Sequence, residues 1–453
     1  MKNTHTFSAA AALIATFSLA TAQNAPKCGA GNQCPEDAPC CSQYGQCGAG
    51  AYCLGGCDPV NSFNLQSCVA APTCKSSDYK MDSMDDIMKN TEYLGDASKA
   101  NWVSSGTVVP YNGDSVLLTM APSTVGTLLS STHYVWYGKI SATMTTSQGK
   151  GVVSAFILMS DVKDEIDFEF VGEDVTDAQS NYYWQGVTNY NNMEKLKTTD
   201  SRQNVHTYTI DWQPDQLTWA IDGEVMRTLK KSDTWNETSN AFNYPQTPSR
   251  IQLSLWPAGL PSNGEGTIEW SGGLVDWDSP YMQNGYYFAM VNDVSVECYD
   301  PPSGFSNDFG DKAYYYLNDA ATNNTVAIGN NDTTLASFLA TGNKPDFDPN
   351  AKASGTSSKA SSAPTNMPET VPGISGGGNA ASSGQAPVDT GSDDSSSSSS
   401  NSNAASGGSS SNGGSGVVFS QGGGSDGTSE AAPRIIAGSA VALLGFFAVA
   451  LMM

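Results

Sequence analysis

Between about Lys75 and Asp300 the chain repeats one local pattern: short runs of alternating apolar and polar residues, broken by Gly, Asn or Asp. "YGKISATM", "GVVSAFILM", "EIDFEFVG", "HTYTIDW", "QLTWAIDG" and "RIQLSLW" are examples. Side chains of a strand point to its two faces in turn, so such runs suit half-buried strands and not helices. Many short strands at regular intervals predict an all-β sandwich or barrel. The stretch "DSMDDIMKN" is the expected helix.

The two ends describe a route rather than a fold. Residues 1–22 carry Lys2, then the apolar "AALIATFSLA", then small residues, the layout of a secretory signal peptide. Residues 435–453 are apolar and uncharged, behind a polar stretch and the small residues Gly424 and Ser425. That order predicts a glycosylphosphatidylinositol (GPI) attachment signal with Ser425 or Gly424 as the attachment residue and a tail that is removed. A single membrane span is the alternative for the tail. Sequons at Asn236, Asn323 and Asn331 fit secretion.

Composition narrows the partners. A formal charge of −24 excludes nucleic acid, whose phosphates need a basic surface, but suits a neutral polymer. All ten cysteines follow the signal segment and read as disulfides in a secreted chain. His133 and His206 are the histidines left after signal removal, so neither a metal site nor a cofactor is expected. Cysteines crowd between Cys28 and Cys74, marking a small stapled module over residues 23–73. The strand-rich domain spans 74–300 and an extension of open character spans 301–347. A Ser/Gly-rich stalk over 348–434 lacks the apolar residues to fold.

One strand gathers like charge. In "DEIDFEF", Glu165, Asp167 and Glu169 point one way, while Ile166, Phe168 and Phe170 point into the core. At about 3.4 Å per residue the two glutamate Cα atoms stand roughly 13 Å apart. Retaining glycosidases need carboxyl groups about 5–5.5 Å apart, so the side chains must lean together on a concave strand. Three such acids cannot all ionise cheaply, and retaining hydrolysis uses that split. A solvated acidic edge strand is the alternative. A calcium loop fits less well, since "DVKDEIDFE" lacks the glycine and the spacing.

E-I-D-F-E resembles the E-x-D-x-E active-site strand of glycoside hydrolase family 16, whose members have a concanavalin-like β-jelly roll. Around it, "YGKISATM", "NYYWQG", "HTYTIDWQPDQLTWAIDG", "RIQLSLWPAG" and "GTIEWSGG" resemble the fungal Crh-type cell-wall transglycosylases. The resemblance covers about residues 80–300. It implies Glu165 as nucleophile, Glu169 as acid/base and Asp167 as the assisting acid. It also implies cleft-lining roles for Tyr183, Trp184, Gln252, Trp256, Thr267 and Trp270. Gln252, Ser254 and Trp256 share one face of their strand, so a polar and an aromatic contact can meet one sugar. Trp212, Trp219 and Trp277 are assigned to the core, and His206 to a structural hydrogen bond.

The cysteine-rich segment resembles the hevein-like (family 18) chitin-binding module through "CCSQYGQCG" and "YCLGGC". Eight cysteines allow 105 pairings, and the sequence alone fixes none. The resemblance implies Cys28–Cys41, Cys34–Cys47, Cys40–Cys53 and Cys57–Cys68. Cys74 and Cys298 remain, and are expected to clasp the two ends of the larger domain. The implied sugar contacts are Ser42, Tyr44 and Tyr52, with Gln46 where the family has an aromatic. A stapled spacer or a protein-contact module is the alternative.

Together these imply a monomeric, GPI-anchored cell-wall enzyme that cleaves chitin and transfers the fragment to β-glucan or chitin. An endo-hydrolase on the same fold and a non-catalytic wall lectin are the rivals.

Overall fold

The computed structural model describes residues 25–29, 31–187, 189–302 and 310–351. The expected signal segment, the attachment residues, the tail and nearly all of the stalk lie outside them.

The alternating runs fold as strands of two eight-stranded sheets. In the first, the order is Glu194–Lys197, Asp177–Tyr183, Glu165–Val171, Val152–Ser160, Ser249–Pro257, Thr127–Val135, Trp102–Ser105 and Ile87–Lys89. In the second, Glu224–Lys230, Gln216–Ile221, His206–Trp212, Gly138–Met144, Tyr287–Cys298, Ser115–Met120 and Val108–Tyr111 follow one another. Ser77–Lys80 also pairs with Tyr287–Cys298 there. The pairing is antiparallel except between Ile87–Lys89 and Trp102–Ser105.

One apolar core fills the space between the sheets and takes side chains from both. Phe168 and Phe170 of the acidic strand meet Tyr208 of the opposite sheet, with ring centroids 5.4 and 4.6 Å apart. Trp212 and Trp219 are fully buried in this core and Trp277 packs against it, as expected. His206 is held between Asp222 (2.6 Å) and Thr199 (2.8 Å), a structural position.

The expected helix in "DSMDDIMKN" is absent. Residues 82–86 turn, and Ile87–Lys89 joins the sheet edge instead. The acidic residues there keep to turns, while Ile87 packs against the core, so sheet pairing overrides the local helical pattern. The one α-helix among the described residues is Glu265–Trp270, which takes in "GTIEW".

The disulfides are Cys28–Cys41, Cys34–Cys47, Cys40–Cys53 and Cys57–Cys68, the pairs implied by the resemblance, and Cys74–Cys298, the expected clasp of the larger domain. The module does not hang free. Cys40, Tyr52, Cys53, Leu54 and Cys57 form a second apolar core with Tyr93 of the larger domain and with Leu335 and Ala340 of the extension. Ala313–Tyr316 and Val326–Gly329 of that extension make a small sheet with Ala71–Pro72. Gly50, at φ +60°, lies so close to the Phe338 backbone that a Cβ would collide with it, and its N–H donates to Ala340 O at 2.8 Å. Module, sandwich and extension are therefore packed as one body.

Candidate active site

The acidic strand Glu165–Val171 is entered by a tight turn in which Lys163 takes φ +67°. Asp164 anchors that turn. Its Oδ2 accepts from Gln246 N (2.9 Å), Thr247 N (3.0 Å) and Thr247 Oγ1 (2.6 Å), and its Oδ1 from Gln185 N (2.9 Å). From there the alternation aims Glu165, Asp167 and Glu169 away from the core. Across the sheet they register with Tyr183, Asn181 and Gln179 on one side and with Met159, Ile157 and Ala155 on the other.

The face they share is a recess. Glu165 is 6% exposed and Asp167 1%, while Glu169 is partly open to solvent. Neither oxygen of Asp167 has a hydrogen-bond partner. The nearby Asn181 backbone N–H pulls its pKa down, against the larger upward push of burial. Ser254 Oγ and Trp256 Nε1, on the same face two strands away, are also buried and unpartnered, as is the Trp184 indole N–H. Buried polar groups are nearly always paired, so several orphans on one recessed face mark a surface built for a polar ligand.

Burial pushes all three acids up. Glu165 rises to about 8, through loss of water first and the Glu169 charge second. Glu169 rises to about 7 through burial, although part of it still meets solvent. Asp167 rises well above the carboxylate range through burial, then through the charges of Glu169 and Glu165; Arg227 opposes this. The recess therefore holds protons near neutrality and shares them among its members. A paired carboxylate and carboxylic acid on one surface can attack a carbon and protonate its leaving group.

Aromatic walls flank the acids. The Trp256 and Trp270 rings stack 6.0 Å apart with a 26° tilt, and Trp270 Nε1 donates to Gln179 Oε1 at 2.8 Å. Gln179 registers with Glu169, so this wall stands at the Glu169 end. At the other end Tyr183 registers with Glu165 and accepts from Asn181 Nδ2 at 2.7 Å. Trp184 follows in a turn and is half-buried. Gln252 registers with Ile157 and thus lies on the same face as Asp167. Thr267 is buried in the helix Glu265–Trp270.

The module residues are placed differently. Ser42 is buried, and Tyr52 is 1% exposed within the second core, so its ring has no open face. Tyr44 and Gln46 are partly exposed. Asn331 is exposed, and Asn236 and Asn323 are half-buried. Cys28, Cys34 and Cys47 are the one close group of metal-type ligand atoms among the described residues, and all three are consumed in disulfides.

The sequence did not single out Asp164 or Arg227. Arg227 donates to Ser180 O (2.8 Å), Ser180 Oγ (2.9 Å) and Asn192 O, and lies over the Trp219 ring at 4.4 Å. Trp219 Nε1 in turn donates to Asp167 O at 2.9 Å. This bracket holds the acidic strand from behind. Its partners come from distant segments, so no local spacing reveals it.

A pH dependence follows. From about pH 4 upward an unfolded chain releases its carboxyl protons, while the folded recess keeps them. The folded state then binds more protons, and stability falls as pH rises toward 8. Asp161 and Asp164, pushed up to about 6 by burial, add to the lower part of that slope. Asp167→Asn is expected to flatten the slope, gaining over wild type at pH 8 and losing the gain near pH 4. Urea unfolding at pH 4, 6 and 8 checks it; parallel curves would contradict the protonated recess.

Comparison with known proteins gives the family. The glycosyl hydrolases family 16 profile matches residues 96–272. Crh-like protein 3 of Botryotinia fuckeliana is 57% identical over 316 residues, covering 70% of this chain and 71% of its own. Crh-like protein 2 of Aspergillus fumigatus is 52% identical over 352 residues, covering 77% and 79%. Among solved structures, the Crh5 transglycosylase in complex with NAG is 29% identical with a TM-score of 0.49, covering 60% of this chain and 99% of its own.

Proposed function

As a member of the Crh-like group within glycosyl hydrolases family 16, the chain is a cell-wall glycosidase and transglycosylase, and we propose that it cleaves chitin and transfers the fragment to β-glucan or another chitin chain. The observation that carries the site assignment is the recessed trio, with an unpartnered Asp167 carboxyl between two glutamates.

Glu165 lies deep beside Tyr183 and serves as nucleophile; Glu169, partly open to solvent, serves as acid and then base. A glycosidic oxygen accepts a hydrogen bond only from a protonated acid, so substrate binding favours the state with the proton on Glu169 and the charge on Glu165. Glu165 attacks the anomeric carbon while Glu169 protonates the departing oxygen, leaving a covalent glycosyl-enzyme. Esterification removes the Glu165 charge. That lowers the pKa of Glu169 and readies it to take a proton from the acceptor hydroxyl. Attack by that hydroxyl restores the starting configuration and frees Glu165. Asp167, whose carboxyl has no hydrogen-bond partner among the described residues, can in its protonated form donate to Glu165 and settle its charge. The half-buried Trp270, backed by the buried Trp256, offers an apolar face to a sugar ring, and placing an acceptor there lets its hydroxyl outcompete water.

The protein acts on wall polysaccharides outside the cell. GPI anchoring, supported by the tail read in the sequence, and a monomeric state complete the proposal. Among the described residues no helix is long and apolar enough to cross a membrane.

Incubating the secreted chain with chitin oligomers and fluorescent β-1,3- or β-1,6-glucan oligosaccharides tests the reading. Labelled, lengthened products are expected. Shortened chitin without labelled products would reduce the activity to hydrolysis, and no change in either would leave a wall lectin.

A further inference from the structure

We propose that the seam between the cysteine-rich module and the first sheet is a sugar subsite for the acetamido group of a distal chitin unit, with Arg250 donating to its carbonyl oxygen. This deepens the chitin-active reading and rests on it.

A cavity of about 80 Å³ lies at the seam, lined by Gln43 and Tyr44 of the module and by Val103, Leu128, Ser130 and Arg250 of the sheet. At 10–15 Å³ per water it has room for roughly five to eight waters. That suits one substituent and not a whole saccharide. Val103, Ser130 and Leu128 register across to Gln252 and Ser254, so their side chains share the face of the acids. The strand carrying Ser130 stands three strands from the acidic one, roughly 14 Å at about 4.8 Å per strand. A polysaccharide laid across the strands from the acids therefore arrives at the seam.

Arg250 is the unusual lining group. It is 9% exposed, its Nε donates to Ser131 O at 3.2 Å, and no carboxylate lies within 4.0 Å of it among the described residues. A guanidinium has five donors; the buried Asp161 carboxylate is near enough for the two charges to act on each other, but Ser131 O takes the one hydrogen bond, which leaves donors for a ligand in the cavity that Arg250 lines. The module makes room for it: a Cβ on Gly55 would fall on Arg250 Nη1. Gln252 Nε2 donates to Gln43 Oε1 at 3.1 Å across the seam and fixes the module against the cleft. The walls sort the ligand. Val103, Leu128 and the Tyr44 ring suit a methyl group, while the guanidinium suits a neutral carbonyl. A glucan unit has neither group at that carbon. An anion is the rival occupant, disfavoured by a chain of net charge −24.

The test compares the secreted chain with Arg250→Met and Gln43→Ala. Donors are chitin oligomers of increasing length and their deacetylated counterparts, with one fluorescent glucan acceptor throughout. In wild type kcat/KM is expected to climb once acetylated donors reach the seam. Arg250→Met is expected to cut the ratio of kcat/KM for long over short acetylated donors about tenfold, through KM, as loss of a charge-assisted hydrogen bond would. Gln43→Ala moves it the same way by less, and covers the case in which Arg250→Met does not fold. An unchanged ratio in a folded variant, or equal dependence on length for acetylated and deacetylated donors, overturns the proposal. Inhibition by inorganic phosphate that disappears in Arg250→Met, without a length effect, overturns it in favour of an anion site. A wild-type chain inactive on every donor would instead overturn the underlying chitin reading.

Discussion

Glu165→Gln is expected to lower chitin cleavage and transfer by roughly 10⁴-fold or more, with chitin binding largely retained. The amide fills the same space beside Tyr183 but cannot attack carbon, and removal of a nucleophile that works with a partner costs nearly the whole chemical advantage. The alanine variants separate the roles of the two glutamates. With azide as a small nucleophile, Glu165→Ala should give a glycosyl azide of inverted configuration, because the anion occupies the position of the missing carboxylate. Glu169→Ala should give a retained one, because the glycosyl-enzyme still forms and the anion replaces the acceptor. Product stereochemistry by NMR reads both. Exchanged outcomes would swap the assignments, and full activity in Glu165→Gln would remove the recess from catalysis.

The largest expected loss of stability comes from opening the clasp Cys74–Cys298. It ties the chain just before Ser77–Lys80 to the end of Tyr287–Cys298, across a sequence separation of 224. Confining so long a loop in the unfolded state is worth about 5 kcal/mol as an upper bound. Cys74→Ser with Cys298→Ser should therefore shift the urea midpoint far down while leaving the folded recess chemically unchanged. Native-state activity per folded molecule, measured at low temperature, should stay near wild type. A midpoint within error of wild type would show that the Ser77–Lys80 pairing alone secures that end.

The sequence made the strands legible because each needed only its own alternation to be read. Glu165, Asp167 and Glu169 could be put on one face because period two is a local property. The expected helix at 82–90 failed because short-range periodicity there competes with pairing to a strand some fifteen residues on, which no window shows. A longer separation hid Asp164, whose partners Gln246 and Thr247 lie 82 and 83 residues further along the chain. Arg250 opens the run "RIQLSLW", whose alternation says nothing of its burial. Its burial depends on Gly55 and Ser131 arriving from two other places. Residue types announce chemistry, while isolation from water is a property of assembly.

The extension that grips the module also bears on how this protein can be cut. Ala340 receives the Gly50 amide, Gly342 donates to Ser67, and Leu335 donates to Leu94, so residues 335–342 stitch both neighbours. A fragment trimmed after Asp300 would uncover the apolar patch around Tyr52 and Tyr93 and leave those backbone groups without partners. The shortest piece that keeps its own surfaces closed runs from before Cys28 to about Asp348. An expression fragment drawn at the sandwich edges would carry a raw face and tend to clump.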